Sequence, residues 1–214
     1  MKILKTLVAI LVVSASSNVM AQNTTLGITG GYQMSSFDLW DQSENYHGGN
    51  FGFTGVWSNH EHWGIGGELL YSRSGGSFTQ FDVNDLRFER YRTQMDHIRL
   101  IPKFHVFFRD FEDDFRPTIF AGPGIGFLVR NEALAGGEIT SEMRTVDLTG
   151  MVGVGFNYQM IPGFWLHVNT AFNYGFMDLN SRSTIVPDRL NTNNLSFNVG
   201  LAYSLNKAQN QLEK

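Results

Sequence analysis

The sequence predicts an all-β protein: an eight-stranded antiparallel up-and-down transmembrane β-barrel with four long extracellular loops. Three observations carry this expectation. Eight stretches alternate apolar residues with polar or small ones at period two, as strands with one apolar face do. The gaps between them run about 15, 3, 20, 7, 15, 4 and 18 residues, long and short by turns, as in barrels with surface loops at one end and tight periplasmic turns at the other. Past the N-terminus no segment approaches the roughly 18 consecutive apolar residues of a membrane helix, so insertion would have to use strands.

Residues 1–21, MKILKTLVAILVVSASSNVMA, place two lysines before an apolar centre from Leu7 to Val13 and end in small residues around Ala21. That order predicts a cleaved signal peptide, because the apolar run is too short to span a bilayer. Its loss removes Lys2 and Lys5 from the 16 basic residues, leaving 14 against 20 acidic ones and a net charge of −6. Nothing in that balance points to nucleic acid. Residues 22–205 read as one barrel domain with no linker, and 206–214, NKAQNQLEK, as a short polar tail. The chain has no cysteine, so neither a disulfide nor a thiolate metal site is available.

The strands are expected near 24–34, 50–58, 62–73, 94–108, 116–129, 145–158, 163–176 and 195–205. In the first, Leu26, Ile28, Tyr32 and Met34 oppose Thr25, Gly27, Thr29, Gly31 and Gln33. Phe51, Phe53 and Trp57 oppose Gly52 and Thr54 in the second; Trp63, Ile65, Leu69 and Tyr71 oppose Gly64, Gly66, Glu68 and Ser72 in the third. The fourth sets Ile98, Leu100, Phe104, Val106 and Phe108 against His97, Arg99, Lys103 and His105, and the fifth Ile119, Ala121, Ile125, Phe127 and Val129 against Thr118 and three glycines. Asp147, Thr149, Gly153 and Asn157 oppose the apolar face of the sixth, and His167, Asn169 and Asn173 that of the seventh. A soluble barrel of the lipocalin kind would keep the apolar face inside. Here the small and charged face is too polar for a dry core, so the apolar face is expected to meet lipid.

The final strand holds NVGLAYSL, with Val199, Leu201, Tyr203 and Leu205 on its apolar face. Asn198, Gly200, Tyr203 and Leu205 resemble the C-terminal assembly signal of outer-membrane barrels, which implies the barrel assembly machinery as a partner in biogenesis. Several stretches together, GIGGELLYSRSGG at 64–76, IRLIPKFHVFF at 98–108, PTIFAGPGIGFLV at 117–129 and FNYGFMDL at 172–179, resemble the PorT-like outer-membrane β-barrel family of Gram-negative bacteria. The resemblance implies an outer-membrane location and a possible tie to type IX secretion.

Other motifs read as structure. AGPGIG at 121–126 has the glycine density of a phosphate loop but runs on into strand alternation with no following Lys-Ser/Thr. HEH at 60–62 lacks a third ligand, and FRDFEDDFR at 108–116 lacks calcium-loop spacing. Trp40, Tyr46, Trp57, Trp63, Tyr71, Phe108, Tyr158, Trp165 and Tyr174 fall near strand ends or loops as interfacial aromatics do, with Trp40 and Tyr46 candidates for surface contacts. No cofactor and no metal site is expected.

A barrel of eight strands is only wide enough to be filled by side chains, and buried charges need partners. Glu68, Arg99, Lys103, His105 and His167 are therefore expected as internal struts, Glu68 opposite or diagonal to Arg99, Lys103 deeper, and the two histidines toward the periplasm. The function these features suggest is non-enzymatic: structural, binding or secretion-associated, with outer-membrane lipid around the barrel and a secretion or surface partner at its loops. The alternative is a lipid-modifying hydrolase or acyltransferase, for which Ser72, Ser74 and His97 are the candidate residues.

Overall fold

The computed structural model describes residues 23–37, 44–58, 62–82, 87–110, 113–135, 144–177 and 191–205. The signal-peptide segment, the polar tail and Trp40 lie outside these residues. The strands are β1 (Asn23–Phe37), β2 (Glu44–Ser58), β3 (Trp63–Asp82), β4 (Arg87–Phe107), β5 (Phe115–Ala135), β6 (Val146–Ile161), β7 (Phe164–Gly175) and β8 (Thr192–Ser204). Each pairs antiparallel with its neighbour in sequence, and β8 returns to pair with β1, closing the barrel. Closure leaves no open sheet edge, which is the condition for strands to cross a bilayer.

The two faces separate as the alternation requires. On β1, Leu26 and Ile28 point outward while Thr25, Thr29 and Gln33 are buried inside; on β4, Ile98, Leu100 and Phe104 point outward while His97, Arg99, Lys103 and His105 are buried. The outward band is apolar on every strand, with Phe53 66% exposed and Val152 61% exposed to the surroundings of the barrel. In water such a surface would be a large unpaired apolar patch; in a membrane it is the solvent match. The tight turn at Pro162 and Gly163 joins β6 to β7. Gly163 has φ 87°, a conformation an L side chain resists, and its carbonyl accepts from Ser204 N at 2.7 Å.

Two expectations need correction. The strands at the surface end run past the apolar band: β2 begins at Glu44, β3 and β4 extend to Asp82 and Arg87, and β5 reaches Ala135. Much of what alternation assigned to long loops is therefore ladder, and only residues 83–86 lie between β3 and β4. Above the membrane both faces of a strand meet polar surroundings, so hydrogen bonding continues where the apolar alternation stops. The longest connections are 136–145 and 176–191.

The lumen is also not uniformly polar. Leu70, Ile101, Phe120, Met151 and Ala171 point inward from five successive strands and pack into a buried apolar layer. Phe120 fits because Gly153 faces it on β6; a Cβ there would stand 2.3 Å from the ring's Cζ. Near the surface end Phe37 and Met95 are also buried inside, with the Phe37 ring over Gly76. Each layer residue sits among small, polar or charged inward neighbours of its own strand, Leu70 between Glu68 and Ser72 and Ile101 between Arg99 and Lys103.

Candidate functional site

Two buried ion pairs join inward charges, with partners other than those expected. Lys103 Nζ lies 2.5 Å from Glu68 Oε1, and Arg99 Nη2 lies 3.3 Å from Asp147 Oδ2, all four side chains being almost fully buried. Glu68 thus pairs with the lysine rather than with Arg99. The register explains both choices. Glu68 stands opposite Ile101, one step above Lys103, whose flexible stem reaches up past Gly66. Arg99 lies in one row with Gly126 and Asp147, and the glycine between them presents no side chain, so the guanidinium crosses β5 to the carboxylate on β6. Asp147 was legible as an inward residue, but its partnership depended on a register two strands away.

The apolar layer separates the lumen's polar groups along the barrel axis. Toward the surface lie Arg99, Asp147 and His97; toward the periplasm lie Lys103, His105, His167 and Arg116. Lys103 Nζ sits 4.4 Å from the Phe120 ring centroid, and Arg116 Cζ sits 4.1 Å from that of Phe107, so each cation rests on an aromatic face. The His105 ring packs against Phe107 and Phe120 at 5.8 and 5.4 Å between centroids, while His167 hydrogen-bonds Asn157. Thr25, Val56, Ser58, Phe107, Arg116, Asn157, Trp165 and His167 line a small cavity at the periplasmic mouth. Trp165, read as an interfacial aromatic, is instead an inward side chain only 3% exposed. Its odd position on β7 puts it on the same face as His167.

The residues of the hydrolase alternative do not assemble. Ser72 and His97 are register partners and both point inward, but the Ser72 hydroxyl donates to Gln33 Oε1 at 3.0 Å and the Ser74 hydroxyl to the Met95 carbonyl at 3.4 Å. The carboxylate next to His97 in sequence, Asp96, faces outward, where it accepts from Arg73 Nε at 2.9 Å and Tyr71 Oη at 2.6 Å. His60 and Glu61 of the HEH motif lie outside the described residues, and His62 stands 3.7 Å from Asp110 on the exposed periplasmic side. Among the described residues no group of three or more His, Asp or Glu side chains is gathered as a metal would need.

On β8 the burial alternates without interruption from Asn194 to Leu205. Asn198 and Gly200 are buried inside, whereas Tyr203 and Leu205 face outward. The Tyr203 ring meets Phe164 at 4.9 Å between centroids, and Leu205 N donates to the Thr24 carbonyl at 2.9 Å, so the terminal strand is tied to both neighbours down to its end.

A family model described as an outer membrane protein beta-barrel domain matches residues 20–181. Among solved structures, the chain is similar to the Neisserial surface protein A, with 12% identity, a TM-score of 0.55, and coverage of 85% of this chain and 97% of that one. It is also similar to the outer-membrane protein OprG of Pseudomonas aeruginosa, with 11% identity, a TM-score of 0.52, and coverage of 86% and 96%. At such identities the likeness is one of fold. No curated protein matches the sequence.

Proposed function

The chain belongs to the outer membrane protein beta-barrel domain family of the Gram-negative outer membrane, and within it we propose a non-enzymatic role, structural, binding or secretion-associated, exercised from the surface end of the barrel. The observation that carries this reading is the filled lumen. An apolar layer of Leu70, Ile101, Phe120, Met151 and Ala171, with ion pairs on either side of it, leaves the interior to stability and the extended surface hairpins to contact. The PorT-like resemblance of the strand motifs supports the secretion-associated form. Against the hydrolase alternative stand the hydrogen bonds that commit Ser72 and Ser74 to Gln33 and to the backbone. In the same proposal residues 1–21 are a cleaved export signal, and Asn198, Gly200, Tyr203 and Leu205 are read by the assembly machinery.

Photocrosslinking in intact cells tests the role. Probes in residues 83–86, between β3 and β4, should give discrete protein adducts that probes in the periplasmic turn at 108–114 do not. Fatty-acid release from lipid A by the purified barrel, abolished by Ser72→Ala, would replace the proposal with the hydrolase reading.

A further inference from the structure

Among the described residues, the basic side chains on the outside of the barrel are unevenly placed. Two rows of register define the place. On the outward face, Tyr71, Ile98 and Phe127 stand side by side on β3, β4 and β5, and the next outward row toward the surface is Arg73, Asp96 and Arg130. Arg144 precedes β6 by two residues and is exposed; the Leu128 amide bonds the Thr145 carbonyl at 2.8 Å, which places the Arg144 backbone across from Val129, the residue next to Arg130. Further out, Arg92 rests on the Tyr46 ring, 5.6 Å from its centroid. At the same end, the outward residues Tyr174, Phe176, Asn193, Met34, Ser36 and His47 on the other half of the rim include no Lys, Arg, Asp or Glu.

The height of this arc is fixed by the apolar band below it. From Ile98 to Phe108, at about 3.3 Å a residue and a tilt of about 40°, β4 rises roughly 25 Å, the thickness of the apolar band of an outer-membrane barrel. Arg73, Arg130 and Arg144 therefore stand at the level of the outer-leaflet head groups. They are also held in place. Asp96, with no exposed side-chain surface, takes Arg73 Nε and Nη2 at 2.9 and 3.2 Å and the Tyr71 hydroxyl, so its charge is covered by its partners while the Arg73 side chain stays 41% exposed. Arg130 is paired with Glu132 yet remains 56% exposed. Among the described side chains, four guanidinium groups face two carboxylates here, on a chain whose net charge is −4.

We propose that this arc on β3 to β6 is a binding site for the phosphate groups of an outer-leaflet lipid. A guanidinium matches two phosphate oxygens with two parallel N–H bonds, which a hydrated surface ion pair does not exploit. Basic residues next to the apolar band also draw in anionic head groups by charge alone. Neighbouring strands are about 4.8 Å apart, so Arg130 and Arg144 can share one phosphate while Arg73, two strands from Arg130 and roughly 10 Å away, takes a second. The ligand class is a lipid bearing two phosphates at about that separation. This site goes beyond the surface-partner role and does not depend on it.

Native mass spectrometry of the folded barrel, released from neutral detergent after incubation with bisphosphorylated lipid A, tests the assignment. The wild type should retain lipid A, and the Arg130→Gln/Arg144→Gln variant, checked for folding by heat-modifiable migration, should retain at least tenfold less. Arg109→Gln, at the periplasmic end, should retain as much as wild type. A second comparison needs no variant: a phosphate-free lipid A analogue should bind the wild type at least tenfold less than lipid A. Equal retention by the folded double variant, or equal binding of the phosphate-free analogue, would overturn the proposal. Displacement of lipid A by millimolar inorganic phosphate would overturn the lipid as ligand and leave a site for free phosphate.

Discussion

Replacing Glu68 with alanine should destabilise the barrel far more than replacing an exposed carboxylate, and the structure sets the size of the difference. Glu68 Oε1 is 2.5 Å from Lys103 Nζ, with side-chain exposures of 4% and 3%. Without the carboxylate, the ammonium keeps only the Phe120 face at 4.4 Å, an attraction of about 0.5–2 kcal/mol present in both proteins. Stranding one member of a buried pair costs about 3–5 kcal/mol. Water entering the periplasmic half of the lumen would rehydrate the lysine in part, so the lower end, about 3 kcal/mol or roughly a hundredfold in the unfolding equilibrium, is the expected loss. Asp110→Ala, which removes an exposed partner of His62, should cost less than about 1 kcal/mol. Glu68→Leu combined with Lys103→Met should recover most of the loss, because it removes both charges and keeps the volume. Equilibrium urea unfolding in lipid vesicles, followed by tryptophan emission, measures all three. A Glu68→Ala variant no less stable than Asp110→Ala, or a double variant no more stable than the single, would refute the strut.

The terminal strand and the closed lumen carry two further outcomes. Tyr203→Asp with Leu205→Asp puts two charges on the outward face of the terminal strand, at a depth-dependent cost below the about 2–4 kcal/mol of an Arg or Lys at the bilayer midplane; by breaking the assembly signal as well, the variant should lose heat-modifiable migration and be degraded in the periplasm, and normal levels of inserted protein would refute the assignment of that strand. Purified wild-type barrel in planar bilayers should show no stable conductance, because Phe120, Met151, Leu70 and Ile101 close the lumen between the two ion pairs; steady porin-sized currents would refute that closure.

Where the sequence was legible, a single local period carried the information. Within the apolar band, the outward residues of β1, β4, β7 and β8 were readable from alternation, because a lipid-facing strand must be apolar at each second position whatever its neighbours do. Partnerships were not readable in that way. Glu68 and Arg99 point inward and stand near each other, yet each found another partner, one through the reach of a lysine stem and the other across a glycine on the intervening strand. Trp165 has the composition of an interfacial residue and the parity of an inward one, and parity decided its position. The apolar layer escaped notice for a related reason: its five members come one to a strand, so no strand taken alone reveals a layer.

The arginine arc shows how one residue in the ladder can decide the chemistry of a surface. Along β5 the odd-numbered residues from Phe115 to Phe127 face outward, and an unbroken ladder would send Arg130 into the lumen beside His97 and Arg99. A second cation there would face Asp147, among the described residues the one inward carboxylate of that half, already engaged by Arg99. The register instead shifts between Asp96 and His97: His97 pairs with Leu128 and Asp96 with Arg130, leaving Val129 as the extra residue of a bulge. The parity of β5 reverses at that point. Arg130 moves to the outward row of Arg73 and Asp96, and Asn131 turns inward to accept from the Thr93 hydroxyl at 2.9 Å. The lumen is spared an unpaired charge, and the outer rim gains its central guanidinium from the same single residue.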